Sequence, residues 1–570
     1  MINIKENIKS YLFFLKYFAN LSLNAPRLGL IIFLLSISGI LNLFGFTFLI
    51  PIFDSILFLK NEISKNFIIE NIQEFLNLDL KFVHIVITTV ACIFLSFLFQ
   101  AFGNYYSYKF RFNFIKNKRR ELLELFSNLN WQSVLERHSG KFNDLIINQT
   151  EHSGSAYFTI YSFWISIMQM ITFAVICMLI SFKLFLISVL IFSLGVGISL
   201  GFQFYARKFS KIYSQGFQNF GYIISDINNN TKSFKISVNK KNTLEEAFKF
   251  IQIVAKNVTK TYKLHSIQTF LIQIFTLGVL FIIVFTYNLL EINGSEVLVF
   301  LASLRSFSGH LQNVFNNLLH FQAHSAPIEL LENEITEMKS KQEENSSNII
   351  DKIENIKFEK VKFNYPNKTH ILNEVSFQLN KGSTISISGE SGSGKSTILD
   401  LLLLLHKPND GKIFINSIDS TKIDKKSFRS RIGYVPQGVT LNHGTILSNI
   451  TLNKNYDREI VINICKKLKI YEWITQQKHG FKTIVGEKGN TLSGGQSQRI
   501  FLSRIILQNP DILILDEATG ALDKQNENEI HEFLKSEKHK RMTIIVSHKV
   551  DTISYADKFL SIKNNVVYEK

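Results

Sequence analysis

Gly389-Glu390-Ser391-Gly392-Ser393-Gly394-Lys395-Ser396 is a complete GxxxxGK[ST] run, and its reading decides the soluble half of the chain. Glycines let the backbone wrap closely around phosphate with its N–H groups pointing inward. Lys395 then reaches the β- and γ-phosphates, and Ser396 offers a hydroxyl to Mg²⁺. The alternating stretch 384–388 leads in as a strand, and Thr397-Ile398-Leu399-Asp400-Leu401 leads out as a helix whose N-terminus favours anions. About 120 residues downstream, Asp511-Ile512-Leu513-Ile514-Leu515-Asp516-Glu517 is an apolar run ending in two acids. A buried strand of this kind delivers carboxylates at its C-terminal end, with Asp516 placed to hold Mg²⁺ and Glu517 to polarise an attacking water. Upstream, Ile356, Phe358, Val361, Phe363 and Tyr365 alternate as a strand before the turn Pro366-Asn367. Short β runs mixed with helices over 352–570 predict an α/β nucleotide-binding domain.

The rest of the chain has a different character. Of 570 residues 46% are hydrophobic and 19% charged, with 63 basic against 46 acidic side chains and a net charge of +17. Mean hydropathy is +0.11. Such a composition excludes a disordered chain, and so many charges exclude a wholly embedded one. Three scattered cysteines (Cys92, Cys177, Cys465) make neither a disulfide framework nor a zinc cluster. Apolar stretches of membrane-crossing length read as six spans, at 28–52, 83–106, 160–182, 184–205, 267–290 and 297–322. Residues 1–27 read as an interfacial amphipathic segment rather than a cleavable signal. Residues 28–325 then form an α-helical six-span transmembrane domain with long cytoplasmic helical extensions, 326–351 a linker beginning at Ala326-Pro327 in which Glu329–Lys341 is helical in pattern, and 352–570 the ATP-binding domain.

Loop charge sets the orientation. Lys109, Arg111, Lys116, Lys118, Arg119 and Arg120 follow the second span, and Arg207, Lys208, Lys211, Lys232 and Lys235 follow the fourth. The segments after the first and fifth spans are richer in acid, with Asp54, Glu62, Glu70, Glu74 and Asp79 in one and Glu291 and Glu296 in the other. The positive-inside rule therefore places both termini and the ATP-binding domain in the cytoplasm of a bacterial-type inner membrane. Basic residues concentrated beside spans, rather than on one soluble module, argue against nucleic acid as a partner.

Between the phosphate loop and the acidic strand lies Leu492-Ser493-Gly494-Gly495-Gln496. With the two flanking motifs, this run resembles the ABC transporter superfamily, and the resemblance extends over the whole chain as an exporter-type half-transporter. It implies ATP and Mg²⁺ as ligands and ATP hydrolysis coupled to transport. On this resemblance Tyr365 stacks on adenine, residues 389–397 through Thr397 bind ATP, and Gln437 in Tyr434-Val435-Pro436-Gln437 contacts Mg²⁺ with Ser396 and Asp516. Glu517 and the switch residue His548 are catalytic, Asp523 in Ala521-Leu522-Asp523 belongs to the D-loop, and 483–489 is an exporter segment. Gly520 departs from the serine usual there. Because 492–496 contacts the ATP of a second subunit in the family, dimerisation with an identical chain is implied. The run 136–145, with its Ser-Gly turn, resembles the first coupling region, and 232–237 is a weaker match to the second.

The cargo is less constrained. A guanidinium at mid-bilayer costs about 2.5–3.5 kcal/mol even on insertion scales, so Arg305 should face a polar cavity or a partner. With His310, Asn313 and Asn317 it is expected to form one polar face lining a substrate path. An outer amphipathic helix at 71–80 together with Arg305 is similar to the bacterial lipid-linked oligosaccharide flippases. That likeness points to an amphipathic or anionic lipid-linked substrate. Peptide or drug export, and a membrane-anchored ATPase that regulates a partner, remain the alternatives.

Overall fold

Long helices account for the N-terminal part of the chain in the computed structural model: α1 (Leu28–Thr47), α2 (Phe82–Ser127), α3 (Thr150–Ile180), α4 (Phe182–Asn229), α5 (Lys240–Thr286) and α6 (Gly294–Ser340). The structure describes residues 28–57, 82–137, 139–286, 293–365, 371–390, 392–486, 492–518, 524–547, 556–563 and 566–569, with a few positions between 18 and 27. The expected helix at 71–80 lies outside them, as does most of the 1–27 segment. The chain divides into two compact units, one holding residues 1–129 and 133–342 and the other holding 343–570 with 130–132.

Helices α2, α4, α5 and α6 contain 46 to 48 residues each. At 1.5 Å per residue they run about 70 Å, more than twice a hydrocarbon core. They therefore carry the spans and the long extensions as continuous rods. Their lipid-facing surface shows in exposed Val83, Ile87, Val90, Phe94 and Phe97 on α2. Buried polar groups join the first three helices instead. Gln169 Nε2 donates to Ser38 Oγ (3.0 Å), Asn42 Nδ2 donates to Gln169 Oε1 (3.1 Å), and the Ser38 and Ser96 hydroxyls lie 2.9 Å apart. In a medium without water, each of these groups has only another protein group to bond, so the ladder fixes register between helices.

Five helices are long and apolar enough to cross a membrane among the described residues, broadly in line with the six spans expected. The expected sixth span falls on α6, whose Arg305, His310, Asn313, Asn316 and Asn317 dilute its apolar run, although α6 packs into the same bundle. The linker expected from 326 is helix as far as Ser340, with Pro327 inside it. Proline cannot donate to the carbonyl four residues back, here Ala323. The Ser210 hydroxyl of α4 donates to that carbonyl instead, so the helix continues through the proline.

The second unit is built on two large sheets, beside a two-stranded pairing of Gly444–Thr445 with Ile484–Val485. Strands β1 (Asn355–Phe363), β2 (Leu372–Asn380) and β4 (Asp410–Ile415) form an antiparallel sheet in the order β2-β1-β4, extended by Ile418–Asp419. The other contains β3 (Thr384–Gly389), β5 (Ile432–Val435), β6 (Ile512–Asp516), β7 (Met542–Val546), β8 (Lys558–Lys563) and β9 (Val566–Glu569), in the order β9-β8-β3-β7-β6-β5. Within it, β8, β3, β7, β6 and β5 run parallel, and only β9 is antiparallel. Ile512, Leu513, Ile514 and Leu515 are all buried, as a strand covered on both faces requires. The parallel order brings the C-terminal ends of β3, β6 and β7 together at one edge, where ligands bind in open α/β sheets.

Candidate active site

Gly389 closes β3 and Gly394 opens helix α7 (Lys395–Leu402), so the loop between them is held at both ends. Gly394 has φ +105°, a conformation side chains avoid, and a Cβ there would meet the Ile371 carbonyl at 3.3 Å. A Cβ on Gly389 would lie 2.5 Å from Ser393 Oγ. Gly394 is required by its positive φ and by β2 packed beside it, and Gly389 is crowded also by the Ile562 carbonyl of β8 at 3.0 Å. Lys395 Nζ spans it, donating to the carbonyls of Gly389 (2.8 Å) and Glu390 (3.0 Å). Burial pulls its ammonium below the usual lysine range, opposed by the charges of Glu517 and Asp516.

The carboxylates arrive from β6. Asp516 is its last residue, and Tyr434 of β5 donates its hydroxyl to Asp516 Oδ2 at 2.9 Å. Burial pushes the Asp516 carboxyl up, the Tyr434 bond opposes this, and Glu517 adds to it. Glu517 follows in the left-handed region at φ 49°, unusual for a residue with a side chain. Its N–H donates to the Val546 carbonyl at the end of β7 (3.0 Å), which turns the side chain off the strand. Gln437, two residues beyond β5, donates its amide to Glu517 Oε2. The structure thus joins Lys395, Asp516, Glu517 and Gln437, all expected from the sequence, into one cluster.

Tyr365 packs edge-on against Phe363 and His406, with its hydroxyl 3.4 Å from Asp400 Oδ2. Burial raises the Asp400 carboxyl to about 6, the Tyr365 bond opposes this, and the charge of Asp516 adds to it. Sequence reasoning missed Tyr434, Asp400 and His406. A tyrosine in strand alternation and an aspartate in an amphipathic helix carry no signal of their own. Their roles follow from what the fold sets beside them.

The residues present fit a nucleotide and its metal. Ser393 Oγ is buried in the phosphate loop without a hydrogen-bond partner among the described residues, and Ser396 at the start of α7 is exposed. Two carboxylates and a glutamine amide oxygen are hard ligands suited to Mg²⁺. Residues 389–397 would hold phosphates, and Ser396, Asp516 and Gln437 the metal. Ser391, Asp523 and His548 lie outside the described residues, as do 487–491 and Gly520.

Ser493 caps helix α8 (Gly494–Leu507). Its Oγ accepts from Gln496 N–H (3.2 Å), and its own N–H donates to Gln496 Oε1 (3.0 Å). Ser493 and Gly494 are exposed, with Leu492, Gly495 and Gln496 half-buried, so this helix N-terminus faces outward with its dipole favouring anions.

In the helical unit, the expected polar face divides. Arg305 and Asn313 are exposed, whereas His310 stacks on Phe173 of α3 (5.7 Å) and Asn317 Nδ2 donates to Ser166 (3.4 Å). On the helix Asn313, Asn317 and His310 follow Arg305 within about 140° of arc, and the two farthest from Arg305, Asn317 and His310, are the ones packed against α3. The 136–145 run forms a short helix, Ser139–Asp144, and Arg137 bonds Glu334 of α6 at 2.7 Å. Thr231–Ile236 is likewise a short helix, with Ile236 and Val238 exposed.

The fold and site define a P-loop nucleotide-binding domain fused to a membrane-type helical bundle. A family model described as ABC transporter matches residues 372–520. ABC transporter B family member 13 of Arabidopsis thaliana is 40% identical over 216 residues, covering 38% of this chain and 17% of that protein. Multidrug resistance protein 1 of Entamoeba histolytica is 39% identical over 222 residues, covering 38% and 17%. A solved structure of a bacterial Atm1-family ABC exporter with ATP bound is similar at TM-score 0.77 and 21% identity, over 97% of this chain and 95% of that one. Residues 372–520 thus match the ABC transporter family model, and nearly the whole chain shares the fold of that exporter structure. The chain spans 17% of the length of each of the two sequence relatives.

Proposed function

We propose that the chain is half of an ATP-driven exporter in a bacterial inner membrane, acting as a dimer of identical chains with its ATPase domains cytoplasmic. The carrying observation is the cluster of Lys395, Asp516, Glu517 and Gln437 at one sheet edge, in a chain that also folds as a membrane-type helical bundle. Lys395 and the loop amides bind phosphate, Glu517 accepts a proton from the attacking water, and Gln437 holds the Glu517 carboxylate in position. Bound Mg²⁺ would neutralise charge on the transferring phosphoryl group. The exposed N-terminus at Ser493 supports the second copy, since it offers an anion site to an ATP held by another chain. ATP-driven closure of the two domains then switches the bundle between inward and outward access, with the 136–145 and 232–237 helices as coupling regions.

The substrate is an amphipathic molecule, and an anionic lipid-linked oligosaccharide moved between leaflets fits the exposed guanidinium of Arg305 on α6. Drug or peptide export is the second reading, favoured by the name of the Entamoeba histolytica relative. Reconstituted vesicles containing polyprenyl-diphosphate glycans, peptides or drugs test these readings. ATP-dependent movement of the glycolipid, lost in Arg305→Ala with basal ATPase intact, is expected. Movement of drugs or peptides alone favours the second reading. ATPase activity with no vectorial movement of any of them makes the chain a membrane-anchored regulatory ATPase.

A further inference from the structure

An open cleft of about 640 Å³ lies where α2 emerges from its apolar stretch, bounded by Arg27 ahead of α1 and by Tyr157 and Tyr161 of α3. Residues 109, 113, 117 and 121 line it at intervals of four, one face of a helix. That face reads Lys109, Asn113, Asn117 and Glu121, a cation and two amides followed by an acid. The acid is already engaged, at 2.7 Å from Lys118 and 2.8 Å from Lys339. Arg27 and Lys109 are exposed and have no ion pair among the described residues, and the Lys109 ammonium sits 5.9 Å above the Tyr106 ring. The cleft lining therefore combines two cations without ion pairs among the described residues, two amides and the rings of Tyr157 and Tyr161.

Its depth in the membrane follows from counting. About 20 residues of α2 from Phe82 fill a hydrocarbon core, so the helix leaves it near Phe102. Exposed Phe102, Tyr105, Tyr108 and Phe112 mark the interfacial belt on the same helix. Arg27, just ahead of α1, and Tyr161, at the start of the expected third span, line the same cleft. Unpaired cations, amide donors and aromatic rings at headgroup level match one ligand chemistry: a phosphodiester headgroup with acyl chains running back along α2.

We infer that this cleft binds the headgroup of an anionic phospholipid from the leaflet beside the helical extensions, with Arg27 and Lys109 as its phosphate contacts. Each basic residue near a membrane surface favours anionic lipid by about five-fold, so the pair should supply about thirty-fold. The site is separate from the exposed Arg305 face and from any transported cargo.

The test uses the full chain in nanodiscs of phosphatidylethanolamine containing phosphatidylglycerol. Native mass spectrometry reads the lipid retained, and a photoreactive phosphatidylglycerol maps its contact. Enrichment of phosphatidylglycerol is expected, with cross-links in the peptides carrying Arg27 and Lys109. The enrichment should fall by about thirty-fold in R27A/K109A and persist in R27K/K109R, with ATPase activity reporting that both variants are folded. Equal retention of the two lipids, or cross-links elsewhere on the chain, overturns the assignment. Displacement of the lipid by inorganic phosphate alone also overturns it, because the cleft would then be a phosphate site. The cross-link position in the unsubstituted protein decides the question even where a variant fails to fold.

Discussion

Glu517 carries two kinds of evidence at one position: a carboxylate at a strand end, and a backbone at φ 49° held by its N–H to Val546. Strain of order 1–3 kcal/mol persists only where surrounding structure fixes it, and here it turns the carboxylate toward Gln437. Glu517→Gln should keep nucleotide binding and lower turnover by about 10²–10⁴, the range for losing a general base. ATP titration and steady-state hydrolysis of the same preparation check this, and near-normal turnover would remove Glu517 from the role. Tyr434 acts one residue earlier. Its hydroxyl opposes the upward push of burial on Asp516, so Tyr434→Phe should raise that carboxyl further. A raised carboxyl binds its proton at higher pH, and the acid limb of the pH–rate profile should move toward neutrality while the alkaline limb stays. Asp400 gives the matching stability test. Its folded value of about 6 exceeds that of an unfolded aspartate, so its ionisation opposes folding as pH rises through that interval. Asp400→Asn, which can still accept from Tyr365, should stabilise the protein above pH 6 and have little effect in acid, by thermal unfolding without nucleotide. The phosphate loop and the two acids were legible in the sequence because each motif carries its own spacing, and Gln437 was legible only through the family resemblance. Tyr434 and Asp400 were not, since both depend on β5 and α7 being brought beside β6 by the sheet order.

Helices raise a different issue, because the features that mislead a reading of hydropathy are those that the bundle compensates. Pro327 reads as a break, yet α6 runs to Ser340 because Ser210 supplies the donor that proline lacks. Sequence near Pro327 cannot disclose this, since the compensating hydroxyl lies more than a hundred residues away on α4. The three other long rods and the short loop between α3 and α4 were legible as apolar runs, and the extensions beyond the membrane as charge and as a resemblance to exporter helices. Ser210→Ala should leave the Ala323 carbonyl unsatisfied and cost about 1–3 kcal/mol. In a Pro327→Ala background, where residue 327 regains its N–H, the same change should cost markedly less. Thermal unfolding of the four proteins in one detergent forms the cycle, and equal costs in both backgrounds would show that Ser210 does not repair the proline.

At the scale of the whole molecule, the site is divided by its own geometry. Lys395 faces inward across its loop, whereas Ser493 presents an exposed helix N-terminus with its hydroxyl already capping Gln496. On the proposed reading as a dimer of identical chains, one chain binding nucleotide through the first feature leaves the second open, and a symmetric pair would close both interfaces by exchanging them. This arrangement predicts complementation. Lys395→Ala alone should lose nucleotide affinity, and Ser493→Arg alone should place bulk and a cap defect where the partner's γ-phosphate would sit, so each pure protein should hydrolyse ATP poorly. A mixed dimer combines the defects in one composite site and leaves the other with an intact Lys395 from one chain and an intact Ser493 from its partner. Co-expression with two affinity tags isolates that mixed pair, and its ATPase should exceed that of either pure variant. Activity no higher than the pure variants would mean that each chain completes its own site, and would remove the reason for a second copy.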